Sequence, residues 1–123
     1  MKLTDIYDTV GQDGKENQAA FEKMPKILQY FIQSQQKLLT DRVIKAVRSK
    51  YGESGFNDLV KTSGFRAHSV NTRYNGVVDS LHLWGCAADF SKNGIFKNNS
   101  IPVCCNLQVI DSGDCWHVQF KRG

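Results

Sequence analysis

Residues 80–90 read Ser80-Leu81-His82-Leu83-Trp84-Gly85-Cys86-Ala87-Ala88-Asp89-Phe90. An imidazole and a carboxylate stand seven residues apart here, separated by a glycine and two alanines. Gly85 lets the chain turn sharply after His82. Ala87 to Phe90 then reads as a short strand in which the small alanines allow close backbone packing. In a strand, alternate side chains share a face. Ala88 and Phe90 therefore fall on one face, while Asp89 falls with Ala87 on the other. His82 and Asp89 can converge on one cavity.

Downstream, Asn93-Gly94 is a turn signal and the stretch from Ile101 to Ile110 contains a strand. Asp111-Ser112-Gly113-Asp114 turns the chain, and Cys115 to Phe120 is the final strand. Alternation places Trp116, Val118 and Phe120 on an apolar face that belongs in the core. Cys115, His117 and Gln119 take the opposite face. Upstream, Leu59 to Ser63 reads as a strand ending in a turn or bulge at Gly64, and residues 67–79 read as a surface loop. Before them, Met24-Pro25 opens a helical stretch. Ile27, Leu28, Phe31 and Ile32 make one apolar stripe; Leu39, Val43, Ala46 and Val47 make another at helical spacing. Gly52 is the expected stop, and Gln33 to Gln36 reads either as a break or as continuous helix. Helices followed by strands joined mainly by loops indicate an α+β fold with a small antiparallel sheet. Residues 1–22 are polar and are expected to be irregular; residues 23–123 form the domain.

A chain of 123 residues has room for one domain and one core. Its 41% hydrophobic and 23% charged content lies in the globular range and argues against disorder, a fibre or a coiled coil. No apolar run approaches the length of a membrane helix, and Met1 to Asp5 lacks the apolar region of a secretory signal. The expectation is a protein made in the cytoplasm that stays there unless released, without membrane insertion. The net charge of +4 permits an anionic partner, but the densest basic pair is only Lys121-Arg122. Basic stripes with interleaved aromatics are absent, which excludes a nucleic-acid module. The four cysteines, at 86, 104, 105 and 115, form no Cys-x-x-Cys pair. They are expected to be reduced, with at least one of Cys104 and Cys105 buried.

Two histidines and an aspartate, His82, Asp89 and His117, make a three-ligand set for catalytic zinc that leaves one coordination position open. Asp114, three residues before His117, is then free to act as general base. Periodicity alone equally allows His82 and His117 to be ordinary polar residues at a sheet edge. Cys115 shares a face with His117, and as a further ligand it would close the site into a structural one. Asp111 rivals Asp114 but fits better as a turn residue, and His68 fits a surface loop.

Ser80-x-His82-x-x-Gly85-x-Ala87-x-Asp89 followed by Asp114-x-Trp116-His117 resembles the zinc-ligand signature of the M15 peptidases. Thr62-Ser63-Gly64-Phe65-Arg66 is similar to the Thr-Ser-Gly-Tyr-Arg strand of that family, with Phe65 in place of tyrosine. The resemblance covers roughly residues 24–120. It implies the α+β fold of the D-Ala-D-Ala peptidase and Hedgehog group, with helices packed on a small antiparallel sheet and a zinc cleft. It implies His82, Asp89 and His117 as Zn2+ ligands and Asp114 as general base. Arg66 would hold substrate and stabilise the oxyanion, and Ser80 and Asn71 would contact substrate. The implied activity is zinc-dependent hydrolysis of peptidoglycan peptides, by a carboxypeptidase or an endopeptidase. A short chain of this kind is similar to phage or virus lysis enzymes, monomers that reach the cell wall through a holin or with the virion. A catalytically silent zinc domain with a binding or virion-structural role is the alternative.

Overall fold

The computed structural model describes residues 1–78, 80–103 and 106–122. Helix α1 spans Gly11–Lys23 and helix α2 spans Lys26–Asn57. Strand β1 (Lys61–Ser63) and helix α3 (His68–Arg73) follow. A 3-10 turn at Leu81–Trp84 leads into strand β2 (Ala87–Ser91). A second such turn, Gly94–Lys97, precedes strands β3 (Leu107–Asp111) and β4 (Cys115–Phe120). The strands form one antiparallel sheet in the order β1-β2-β4-β3. This is the α+β arrangement expected, with three α-helices and a four-stranded sheet among the described residues.

Helix α2 runs unbroken through Gln33–Gln36, then bends at Gly52, whose φ of 68° lies in the left-handed region. The chain resumes helical geometry afterwards, so Gly52 is a kink and not the expected stop. Ile32, Gln36, Leu39, Val43 and Val47 are buried along one face. The first apolar stripe behaves differently from the expectation. Its buried part begins at Ile32, and Ile27 is 77% exposed, because the N-terminal turns of α2 project past the packed core. Leu39, Val43 and Val47 pack with Ala88, Phe90 and Val118 of the sheet and with Leu59, Phe96, Ile101 and Leu107. Trp116 and Phe120 lie against this core as well, and the Trp116 indole donates to the Phe96 carbonyl (2.8 Å). The inward face of β4 is the one alternation predicts.

The N-terminal region corrects the sequence reading. Residues 1–10 form only turns and bends, but from Gly11 the chain is not irregular: α1 is a regular helix of 13 residues. Few of its anchors are apolar, which hid it. Phe21 packs edge-on against Phe65 and beside Tyr7. The buried Asn17 accepts from the Ala67 N–H (2.8 Å) and donates to the Asp8 carbonyl (3.2 Å). Ahead of α1, the first residues form a strap over β1. The Lys61 ammonium, fully inside, donates to the carbonyl of Asp5 (2.9 Å) and to the Thr40 hydroxyl (3.1 Å). The Phe65 N–H donates to the Ile6 carbonyl (2.8 Å). A second correction falls on residues 68–73 of the expected surface loop, where α3 forms instead. Cys104 and Cys105 lie outside the described residues; Cys86 and Cys115 are free thiols. Among the described residues no helix is long and apolar enough to cross a membrane.

Candidate metal centre

The sheet register delivers two of the three expected ligands as neighbours. Asp89 of β2 stands directly opposite His117 of β4, and Ser63 of β1 stands on the other side of Asp89. These side chains occupy the face away from the core. His82 arrives from outside the sheet, on the 3-10 turn. The Ser80 hydroxyl caps that turn by accepting from the His82 N–H (3.2 Å). Gly85, with φ of 72°, closes it. A Cβ on Gly85 would lie 2.8 Å from a methyl of Ile32, so the turn sits directly on α2 and needs glycine on both counts.

His82 Nε2 lies 3.3 Å from Asp89 Oδ1 and 3.2 Å from His117 Nδ1, and His117 Nδ1 lies 3.0 Å from Asp89 Oδ1. The outer partners of each ring fix its tautomer. His82 Nδ1 faces the Gly64 carbonyl at 2.7 Å. A carbonyl only accepts, so Nδ1 carries the hydrogen and Nε2 presents a lone pair. His117 Nε2 donates to Gln119 Oε1 (2.8 Å), which leaves the Nδ1 lone pair facing inward. Three acceptors thus converge on one point. Such a cluster is repulsive unless a proton on His117 or a metal cation sits between them. Ligands at about 2.0–2.1 Å from tetrahedral zinc stand about 3.3–3.4 Å apart, close to the three separations here. The donor set therefore fits zinc.

Burial pushes His82 below the usual imidazole range, keeping it neutral. Burial alone would raise the Asp89 carboxyl, but His117, His82 and Arg66 together hold it well below the usual carboxylate range. For His117, burial opposes the proton, and the hydrogen bonds to Asp89 and Gln119 outweigh it and raise the group. Arg66 donates from Nη2 to Asp89 Oδ2 (2.7 Å) and from Nε to the Ser63 hydroxyl (3.0 Å). Asp89 thus offers one oxygen to the centre while the guanidinium holds the other.

A cleft runs past this cluster in two lobes, of about 370 and 520 Å3. Arg66, Asp89 and Asp114 line both, and His82, His117 and Ser80 line the larger. Asp114 is exposed at the start of β4. Asp111 is spent in the turn, accepting from Lys92 (2.7 Å) and the Gly113 N–H (2.9 Å). Cys115 lines the cleft, but burial and the charges of Asp89 and Asp114 push its thiol up to about 11. Its sulfur is not among the atoms that converge with His82, Asp89 and His117. His68 is on the exposed side of α3. Asn71 is not brought to the cleft. It is buried, and its amide donates to the Val77 carbonyl (2.9 Å), closing the loop after α3.

The family model for Peptidase M15 matches residues 12–118. The chain belongs to the M15 peptidase family. The matched segment begins inside α1 and ends inside β4. It supports a metallopeptidase in general terms, and the His82-Asp89-His117 cluster is compatible with the metal such an enzyme requires. Comparison with curated proteins and with solved structures gives no match. Sequence reasoning missed Gly64 and Gln119, which set the two imidazole tautomers. Gln119 was open to discovery, two residues from His117 on the same strand face. The Gly64 carbonyl was not, since a backbone acceptor leaves no trace in residue identity.

Proposed function

We propose that this M15 chain is a zinc-dependent peptidase that hydrolyses peptide bonds of peptidoglycan, built on the Hedgehog and D-Ala-D-Ala peptidase type of fold. The observation that carries the reading is the convergence of three acceptors at 3.0–3.3 Å on a cleft shared with Asp114 and Arg66. Zinc held by His82, Asp89 and His117 would supply Lewis acidity there, to polarise a carbonyl oxygen and ease the deprotonation of water. The other roles belong to the chain. Asp114 takes a proton from the attacking water and returns it to the leaving amine. Arg66 holds Asp89 in place and presents positive charge where the carbonyl oxygen becomes anionic. Ser80 fixes the turn that aims His82.

The protein acts as a monomer at the cell wall after release by a holin or with a virion. Zinc content and peptide release from purified peptidoglycan test this, measured together on the natural chain, His117→Ala and Asp114→Ala. The expected result is zinc in the natural chain and in Asp114→Ala, its loss in His117→Ala, and hydrolysis by the natural chain alone. Zinc without hydrolysis on several wall types would favour the silent zinc domain.

A further inference from the structure

Gln36 lies on the buried stripe of α2, among Ile32, Leu39, Val43 and Val47, and is 2% exposed. A helix face of that kind ordinarily carries apolar residues. The Gln36 amide nitrogen donates to the carbonyls of Gly85 (2.7 Å) and Ala87 (2.8 Å). These residues are two apart, as carbonyls on one strand edge are. The third carbonyl of that edge, of Asp89, accepts from the Thr62 hydroxyl (3.3 Å) of β1. Ladder pairing with β1 reaches Asp89 through Ser63 and goes no further toward Ala87. Where β1 ends, the Gln36 amide takes over as donor. It pins the backbone between His82 and Asp89.

The other end of the same amide meets the second loop of the centre. With both N–H groups committed to carbonyls, Oε1 must face away from them. It is buried with no hydrogen-bond partner and packs on Gly64, where a Cβ would lie 2.5 Å from it. The Gly64 carbonyl is the group that orients the His82 ring. One side chain therefore touches both the segment that joins His82 to Asp89 and the loop that sets the His82 tautomer. An orphaned acceptor costs stability, so stability alone does not account for an amide at this place.

We infer that Gln36 is a positioning residue for metal binding: through Gly85, Ala87 and Gly64 it fixes the separation and ring orientation of His82 relative to Asp89. The inference rests on the metal reading above. The test compares the natural chain with Gln36→Met, which keeps the length and removes both donors, and with Leu39→Ala, a purely apolar loss on the same helix face. Zinc affinity is measured by competition with a chromophoric chelator, the ligand field by cobalt(II) absorption, and the metal-free fold by circular dichroism and melting. Gln36→Met is expected to bind zinc about tenfold more weakly, with an altered cobalt spectrum. Leu39→Ala is expected to melt earlier yet bind zinc within about twofold of the natural chain. If Gln36→Met does not fold, Gln36→Asn serves, because its shorter amide reaches only one carbonyl and the same weakening is expected. Zinc affinity unchanged in the folded Gln36 variant, or weakened no more than in Leu39→Ala, would overturn the role of Gln36. A natural chain that takes up neither zinc nor cobalt would overturn the metal reading itself and this inference with it.

Discussion

Strands β2 and β4 turn Ala88, Phe90 and Val118 toward α2 and turn Asp89 and His117 toward the cleft. The first face is dry and gains its stability from area and close packing. On the second, the polar groups are largely withdrawn from water, and each is held by a specific partner: Gly64 for His82, Gln119 for His117, Arg66 for Asp89. Adjacent residues of one strand thus serve opposite ends. The contrast teaches that stability and chemistry are separable here by a register shift of one.

The largest effect that would break the contrast is on the wet face. Asp114→Ala is expected to lower the hydrolytic rate by about 10²–10⁴, read as peptide release, while zinc content and melting temperature stay near those of the natural chain. A matching collapse in stability would mean that the two faces are not independent. On the dry face, Phe90→Ala should cost about 3–5 kcal/mol in denaturant unfolding. Below its transition, zinc content should remain at one per chain. Next comes Lys61, which burial holds down at about 8, well under its ordinary value. Between pH 8 and 10.5 the unfolded chain binds this proton more than the folded chain does, so its contribution to stability rises with pH. The cost of burying the charge is complete below the folded value and fades above it. Lys61→Met should remove that rise, so the melting temperature of the natural chain should climb relative to that of Lys61→Met from pH 7 to pH 10. Smallest is the exposed pair Lys37–Asp41 at 2.9 Å. Asp41→Ala should change unfolding free energy by less than about 0.5 kcal/mol and leave hydrolysis untouched; a larger loss would show that α2 transmits surface changes to the site.

The legible part of the molecule was the part with a strict period. Alternation in Cys115–Phe120 and Ala87–Phe90 identified both strands and told which side chain of each faced away from the core, hence Asp89 and His117. The helical spacing of Leu39, Val43 and Val47 was equally plain. Helix α1 was not, because it docks through one buried phenylalanine and otherwise through polar groups: a buried Asn17 whose partners are backbone groups fifty and nine residues away, and Asp13 and Glu16 paired with Arg73. The exposure of Ile27 was hidden for a related reason: spacing locates an apolar face but not where the sheet beneath it stops. Asn71 was legible as a residue type and not as a position, since closing a loop onto Val77 and binding substrate call for the same amide. Gln36 lay in a stretch read only for helix continuity, and its significance depends on carbonyls that the sequence does not display.

The division of Asp89 between two partners has a consequence for ion discrimination. With Oδ2 committed to Arg66, the carboxylate cannot chelate through both oxygens, and its remaining oxygen sits beside two imidazole nitrogens. Calcium seeks six to eight oxygen donors and magnesium a rigid octahedron of them. Among the three converging groups either ion would find a single oxygen. For the metal proposed at this centre, the arginine clamp favours borderline-soft transition ions over hard cations that take several protein oxygens.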